Sequence, residues 1–441
     1  MRFLMIILCK ILAFIGKLLK KGTSLPGKIV LKLCPDILKR IELPKYVIAV
    51  TGSNGKTSTV EMIASVMSEN GLKVVWNKEG SNQIEGVTTM LLKNSTLSGK
   101  VKGDVAVIES DERYARHTFK YIKPTHFAIL NLYRDQLTRN VHPFWIYDII
   151  KEAIELIPDT TLLLNADDPI VSQYGYKKEG VKYFSMAENA YSSPDTDALY
   201  NDCYYCPICG EKMEYSYFHY SHLGRFSCSC CDYRSHDGEF VIDSVDLDRS
   251  KISICSQEID LAFASRYNVY NLCAAFALCS LVGIPKENIA SSLSSFVMKN
   301  GRVVRFKAGE NEGILITSKH ENSTSYNRSL EFVCAEKEPF TLAIIVDAIS
   351  RKYYTTETSW LWDISFEMLK DSKAKKILLC GNYAYDLALR FELCGIDGER
   401  LETVPDLDLM ADKLKVKDAG KLFAITCFSD KGKLFDRVEL I

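Results

Sequence analysis

The sequence predicts an α/β protein. Its main body is a doubly wound parallel sheet with a phosphate-binding turn, interrupted by an inserted four-cysteine zinc ribbon and followed by a smaller Rossmann-like α/β domain. Three observations carry this. A glycine-rich strand–turn–helix lies at Tyr46–Met67. Apolar runs of strand length then alternate with helical stretches to about residue 198, and the alternation resumes after residue 301. The chain has 441 residues, 47% of them hydrophobic, enough for two or three cores. The expected boundaries are a basic, apolar helical segment and linker at 1–40, a central domain at 41–300 with an insert at 200–235, and a C-terminal α/β domain at 301–441.

The first element, "MRFLMIILCKILAFIGKLLKK", is apolar but carries Arg2, Lys10, Lys17, Lys20 and Lys21. Lys10 leaves the uncharged run short for a bilayer span, and no small-residue cleavage site marks a secretory signal. Two readings stand: a basic helix lying on an anionic membrane face, or a helix packed on the body of the protein. "KGTSLPGKIVLKLCPDIL" follows as a Gly/Pro-punctuated linker into a helix.

In "YVIAVTGSNGKTSTVEMIASVM", Tyr46–Val50 is aromatic and β-branched, as a buried parallel strand requires. Gly52 and Gly55 permit a tight turn and close backbone approach to a ligand. Val60, Ile63, Ala64 and Met67 recur at helical spacing from Thr57 onward. A helix N-terminus beside Lys56 attracts anions, and the Thr57 hydroxyl is placed to ligate magnesium. The general P-loop pattern asks for glycine where Val50 stands, so only its Gly-Lys-Thr core is present. An ordinary strand-to-helix turn is the alternative; the position of Gly-Lys-Thr at a strand end argues against it. Lys56 is expected on an exposed turn.

"DVAVIESDE", "THFAILNLYRDQL" and "TLLLNADDP" read as strands with polar carboxyl ends, which line the ligand crevice of such a sheet. They place Glu109, Asp111, Asn131 and Asp167 there. Magnesium needs hard oxygen ligands, and Glu109 is the best partner for Thr57. Asp111 and Glu112 read equally as helix N-cap acids.

The insert holds Cys206-x2-Cys209 and Cys228-x2-Cys231, eighteen residues apart. That spacing fits a closed tetrahedral zinc site, structural rather than catalytic. Cys203 and Cys230 complicate the assignment, and His219 and His222, in the loop between the pairs, read as surface residues with metal ligation as the alternative. The other cysteines are scattered in apolar contexts, which favours a reducing compartment over a disulfide framework. With 55 basic and 56 acidic residues, nothing points to bulk nucleic-acid binding. The third region carries strands at "TLAIIVDA", "KKILLCG" and "KLFAITCFS". In "TETSWLWD", Trp360 and Trp362 would share one face of a strand.

At these residues the chain resembles the Mur ligase family. "TGSNGKTST" is similar to its phosphate loop, "RYNVYNLCAAFAL" with Asn268 and Asn271 to its Asn-x-x-Asn-x-x-Ala-Ala helix, and "GRVVRF" to its Gly-Arg element. Within the family the likeness is closest to the ligase-like subunit of the two-subunit enzyme that amidates D-glutamate in lipid II. "GTSLPGKIVLKLCPDIL" upstream of the loop, "NLYRDQLTR", the cysteine ribbon and "TSWLWDISFE" carry that. There are departures. Thr138 and Glu357 stand where Asp is expected, Val304 replaces Glu, and "SKHEN" replaces a Lys-Asn-Pro element.

The resemblance implies ATP and Mg2+ as well as Zn2+. It implies nucleotide contacts from Gly52, Asn54, Gly55, Lys56, Thr57, Ser58, Asn82, Asn131, Asn268, Asn271 and Arg302, with Lys56 and Glu109 serving the chemistry. It implies amidation of lipid II through an acyl phosphate, on the cytoplasmic side of the plasma membrane. Ammonia would come from a GatD-like glutaminase subunit, whose Cys–His pair Asp363 would complete, with Glu357 or Asp347 as alternatives. A folylpolyglutamate-type amino-acid ligase, or an ATP-binding scaffold, is the competing reading.

Overall fold

The computed structural model describes every residue except 19–23, 78–80, 137–139, 197, 262–265, 298–302, 320, 349–356 and 418, and the side chains of 266 and 267. It divides into two compact units: Met1–Leu132 with Pro143–Asp197 and Asn201–Met298, and Tyr133–His142 with Ala198–Tyr200 and Lys299–Ile441.

In the first unit, α1 (Arg2–Leu18) and α2 (Leu25–Leu33) precede β1 (Tyr46–Thr51). Then come α3 (Lys56–Glu69), β2 (Val74–Trp76), α4 (Ile84–Lys93), β3 (Val105–Glu109), α5 (Ala115–Phe119), β4 (His126–Ile129), α6 (Pro143–Glu155), β5 (Thr161–Asn165), α7 (Pro169–Ser172) and β6 (Lys182–Met186). A hairpin of β7 (Met213–Tyr220) and β8 (Leu223–Cys228) is followed by β9 (Phe240–Asp246), β10 (Lys251–Ile254), β11 (Gln257–Asp260), α8 (Arg266–Leu281) and α9 (Lys286–Ser294).

The main sheet runs β11-β10-β9-β6-β5-β4-β1-β3-β2. It is parallel from β2 to β9 and antiparallel across β9, β10 and β11. The expected parallel sheet therefore carries an antiparallel edge, as large α/β sheets often do. Its strands are continuous apolar runs because both faces are covered: Val47, Ala49, Ala106, Ile108, Phe127 and Ile129 lie in one core with Ile6 and Cys9 of α1. β1 sits between β3 and β4, so the chain reverses direction across it. The carboxyl ends of these three strands flank that switch point, where open α/β sheets place ligands.

The second unit holds β12 (Val303–Ala308), β13 (Asn311–Ser318), α10 (Ser323–Cys334), β14 (Phe340–Ile345), β15 (Ala374–Cys380), α11 (Ala384–Leu393), β16 (Leu401–Val404), α12 (Leu407–Leu414), β17 (Lys421–Cys427), α13 (Lys431–Phe435) and β18 (Glu439–Leu440). Its sheet order is β16-β15-β14-β17-β13-β12-β18, parallel from β16 to β13. Helices cover both faces, giving two apolar layers.

One local expectation fails. Ser359–Asp363 forms a short 3-10 turn and not a strand. Three residues per turn rotate Trp360 and Trp362 apart: Trp360 is 2% exposed in the core beside Tyr326, whereas Trp362 is 39% exposed under the Arg390 guanidinium. The Trp360 indole N–H has no acceptor among the described residues, so its contribution is packing. Trp360→Ala is expected to cost about 3–5 kcal/mol of stability, and Trp362→Ala less than about 1 kcal/mol. Urea unfolding of the two variants checks this; equal losses would contradict the assignment.

Candidate active site

The phosphate turn is set by close backbone approaches. Gly52 has φ 142°, and a Cβ there would lie 3.0 Å from the Leu130 Cβ and 3.1 Å from the Asn131 carbonyl oxygen. Gly55 has φ 87°, and a Cβ there would lie 2.0 Å from Asn271 Oδ1. Both positions thus demand glycine, for conformation and for space. Asn131, at the end of β4, ties the turn down. Its carbonyl accepts from Ser53 N at 2.9 Å, its Oδ1 accepts from Asn54 N at 2.9 Å, and its Nδ2 donates to the Asn54 carbonyl at 3.2 Å. Asn271, 4% exposed on α8, packs against Gly55, and its amide lies 3.5 Å from Asn268 Oδ1 one turn earlier. The N-cap of α3 is Gly55, which brings no side chain to the first turn, where Thr57 and Ser58 lie. The result is a rigid concave loop at a helix N-terminus, a site for phosphate oxygens.

Lys56 departs from expectation. It is 8% exposed rather than on an open turn. Its ammonium lies 2.6 Å from Glu112 Oε1 and donates to the Gly52 carbonyl. Glu112 is therefore no helix cap but the counter-charge of the loop lysine. Asp111 does act locally, its Oδ1 accepting from Arg113 N at 3.0 Å.

Glu109, 3% exposed at the end of β3, accepts from the Thr57 hydroxyl at 2.9 Å and from Asn82 Nδ2 at 3.1 Å. Asn77, just past β2, fixes the Glu109 backbone from both sides: its Oδ1 accepts from Glu109 N at 2.8 Å and its Nδ2 donates to the Glu109 carbonyl at 2.9 Å. The hydroxyl, carboxylate and amide oxygens here are the hard donors that magnesium takes. Asn77 escaped the sequence reading, although a polar residue directly after an apolar strand was its signal. Arg302 lies outside the described residues.

Asp167 is not in the crevice. It is 2% exposed and accepts from Met186 N at 2.7 Å and the Tyr270 hydroxyl at 2.8 Å. Burial pushes its carboxyl up to about 7, against the downward pull of those donors. Asp168 caps α7, accepting from Ile170 N and Val171 N, and receives Leu132 N at 2.9 Å.

In the cysteine insert the thiols of Cys206, Cys209, Cys228 and Cys231 all lie within 4.8 Å of one another. Cys206 and Cys231 are 3.7 Å apart, Cys209 and Cys228 3.4 Å. Four thiolates around zinc at Zn–S distances near 2.3 Å would sit about 3.8 Å apart, so the set fits that metal. Backbone N–H groups of Ile208 and Cys230 point at Cys206 Sγ and Cys228 Sγ, each at 3.4 Å. Cys203, fully buried, stands outside the cluster. His219 and His222 are not surface residues: they are 3% and 2% exposed. His219 Nε2 lies 3.1 Å from the Met186 carbonyl, and His222 Nε2 lies 3.4 Å from Asp168 Oδ1. They seat the hairpin on the ends of β5 and β6.

Within the second unit, Asp135 pairs with Lys319 and accepts from Asn322 Nδ2 at 2.9 Å. Gln136 N donates to the Glu321 carbonyl at 2.7 Å. So "SKHEN" supplies the lysine and asparagine that hold "YRDQ". Arg134 lies 3.6 Å from Asp363 Oδ1, whose side chain is 10% exposed. Asp347 pairs with Lys433 and accepts from Asn382 N at 2.9 Å. Glu357 is exposed and accepts from Ser359 N at 2.8 Å, a bond that lowers its carboxyl pKa.

Comparison with known proteins follows the same division. A family model described as the Mur ligase middle domain matches residues 50–279, and one described as MurT ligase C-terminal matches residues 320–429. The lipid II isoglutaminyl synthase (glutamine-hydrolyzing) subunit MurT of Staphylococcus aureus (strain COL) is 29% identical over 383 residues, 86% of this chain and 84% of that protein. The protein of the same name from Streptococcus pneumoniae (strain ATCC BAA-255 / R6) is 29% identical over 425 residues, 94% and 92%. Among solved structures, a pseudomurein peptide ligase type C from Methanothermus fervidus superposes with TM-score 0.66 at 22% identity, covering 90% of this chain and 78% of that one, a likeness of fold.

The buried Asp167 makes a pH prediction. Its folded pKa lies above the unfolded value near 3.9. The folded state then holds a proton that the unfolded state has lost, and stability falls as pH rises from about 4 to about 7. Asp167→Asn does not titrate. Its stability relative to the parent should climb through that window, by up to ~4 kcal/mol, and level off above it. Urea midpoints of both proteins at acid and alkaline pH test this; a difference independent of pH would show that Asp167 is ionised in the fold.

Proposed function

This chain belongs to the Mur ligase family, with a C-terminal domain of the MurT type, and from that premise we propose that it amidates the D-glutamate α-carboxylate of lipid II to D-isoglutamine, using ATP. It is a carbon–nitrogen ligase; the acceptor, the acyl phosphate and the glutaminase partner belong to the proposal. The observation that carries it is the Gly-Lys-Thr loop with Thr57, Glu109 and Asn82 converging beside it at the switch point of the sheet.

The acceptor carboxylate attacks the γ-phosphorus of ATP, ADP leaves, and an acyl phosphate forms. Ammonia then attacks the acyl carbon, inorganic phosphate departs with the C–O bond electrons, and the amide nitrogen gives up a proton. Such chemistry asks the protein mainly for positioning and charge neutralisation. The loop backbone from Gly52 to Ser58 cradles the phosphates. Lys56, held near them by Glu112 and the Gly52 carbonyl, supplies a positive charge already stripped of water. Thr57 and Glu109, oriented by Asn82 and Asn77, would hold Mg2+, which supplies further charge neutralisation when bound. Zn2+ would occupy the four cysteines as a structural ion with no open position.

Ammonia would come from a GatD-like glutaminase subunit, which needs a carboxylate to orient its catalytic histidine. Of the three candidates, Asp363 is largely buried beside Arg134 and Asp347 is paired with Lys433. Glu357 is exposed and ionised, so it suits a role across an interface best. The lipid-linked acceptor brings the enzyme to the inner face of the plasma membrane.

Lys56→Ala alone would strand Glu112 buried without its cation; Glu112→Gln in the same chain removes that orphan charge. With the glutaminase partner, lipid II and ATP, the double variant should lose about a hundredfold or more of its amidation with either glutamine or ammonium. Glu357→Gln should lose the glutamine-dependent reaction and keep the ammonium-dependent one. Near-parental activity of the double variant would remove the loop from the mechanism. Loss of the split in Glu357→Gln but its appearance in Asp363→Asn would transfer the role to Asp363.

Elemental analysis of carefully purified protein should find one zinc per chain, lost together with thermal stability in Cys206→Ser/Cys231→Ser. A metal-free parent of equal stability would overturn the zinc assignment.

A further inference from the structure

α1 is apolar on two sides. Ile6 and Cys9 point inward and are fully buried in the core of the first unit. Arg2 Nη1 donates to the Arg40 carbonyl at 3.1 Å, and Lys10 Nζ to the carbonyls of Lys93 and Ser95 at 3.1 and 2.8 Å. These contacts fix the helix on the body. The outer side carries Phe3, Leu4, Ile11, Phe14, Ile15 and Leu18, each 44–69% exposed. At 100° per residue these six fall within an arc of about 120°, one continuous stripe. α2, packed against α1, exposes Leu25 and Leu33 at 55% and 56%, with Lys28 and Lys32 exposed beside them. Soluble monomers rarely leave so ordered an apolar surface open.

Charge identifies what covers it. Residues 1–35 contain seven basic residues and no acidic one. The chain has 55 basic and 56 acidic residues, so the remaining part carries 48 basic against 56 acidic. The positive charge is thus concentrated in the segment that carries the open stripe, with Lys17, Lys28 and Lys32 exposed. A second copy placed on this face would bring like charges together, whereas an anionic lipid headgroup layer complements them. No helix among the described residues is long and apolar enough to cross a membrane, so insertion would stop at the headgroup–acyl boundary, as for an interfacial amphipathic helix. We infer that the outer face of α1, flanked by the lysines of α2, is a docking surface for an anionic phospholipid bilayer. This goes beyond the ligase reading: it needs neither nucleotide nor lipid II.

The full chain is sedimented with vesicles of equimolar phosphatidylglycerol and phosphatidylcholine, and with pure phosphatidylcholine vesicles, neither containing lipid II. It should bind the anionic vesicles at least about tenfold more tightly, and weaken with added salt. Phe14→Glu/Leu18→Glu, at two exposed positions, should bind at least about tenfold less while keeping the parental thermal midpoint. Lys28→Glu/Lys32→Glu should lose the preference for anionic lipid. Absence of vesicle binding, equal binding to both vesicle types, or an unchanged Phe14→Glu/Leu18→Glu variant would each overturn the inference. So would a solution dimer dissociated by that variant, since the occupant would then be a second copy. Failure of the amidation reading leaves this result standing, because no step of the assay uses it.

Discussion

The candidate active site depends on how closely the backbone at Gly52 and Gly55 approaches the residues around it. Neither glycine merely relaxes a turn. Each leaves a volume that is filled by another element: the end of β4 at Gly52, and the Asn271 amide at Gly55. Asn131 adds three hydrogen bonds across the same gap. The phosphate turn is therefore clamped from the sheet side by β4 and from the helix side by α8. A loop held this way has little freedom left to lose when it binds, which is how preorganisation contributes to affinity and catalysis.

Charge at the site follows the same logic. Two carboxylates and one ammonium sit at 3–8% exposure near the ends of β1 and β3, and each is given a partner. Glu112 pairs with Lys56, while Glu109 accepts from a hydroxyl and an amide and forms no salt bridge among the described residues. Burying a carboxylate on neutral donors alone is costly. The arrangement makes sense where a divalent cation is to be taken up beside it, and the donors are the oxygen type that magnesium accepts.

Much of this was legible in the residues. Gly-Lys-Thr at the end of an apolar run located the loop, and the alternation of strands and helices placed Glu109 and Asn131 at strand ends, which the structure sets on either side of β1. What sequence could not show were contacts set by tertiary approach. Glu112 looked like a cap because caps and counter-charges use the same residue type; only the path of the chain after β3 brings it to Lys56. Lys56 itself is buried for that reason. Asp167 sits at a strand end as expected, but the tyrosine of α8 and the amide of Met186 close over it. The period-two reading of Trp360 and Trp362 failed because the segment winds at three residues per turn. His219 and His222 looked exposed in a polar loop, yet they are the surface by which that hairpin meets the sheet.

The cysteine hairpin shows why a cation is the simplest account of its thiols. Burial pushes the Cys206 thiol up to about 12. Burial raises Cys228 too, but the amides of Cys231 and Cys230 and the neighbouring thiols outweigh it and bring it down to about 7. Two thiols of one cluster are thus shifted in opposite directions. A neutral four-thiol cluster would leave the amides aimed at Cys228 poorly used, and a four-thiolate cluster would concentrate negative charge within 4.8 Å. A divalent metal resolves both, since it ionises the thiols it binds. At the cysteine end of the hairpin the apolar core is small, Cys206, Met213, Phe226 and Tyr233, few side chains to hold that end by burial alone. A metal held there and the docking histidines would share one structural task. Together they would keep the hairpin folded and seated where β5 and β6 end, and leave the phosphate loop to the elements that clamp it.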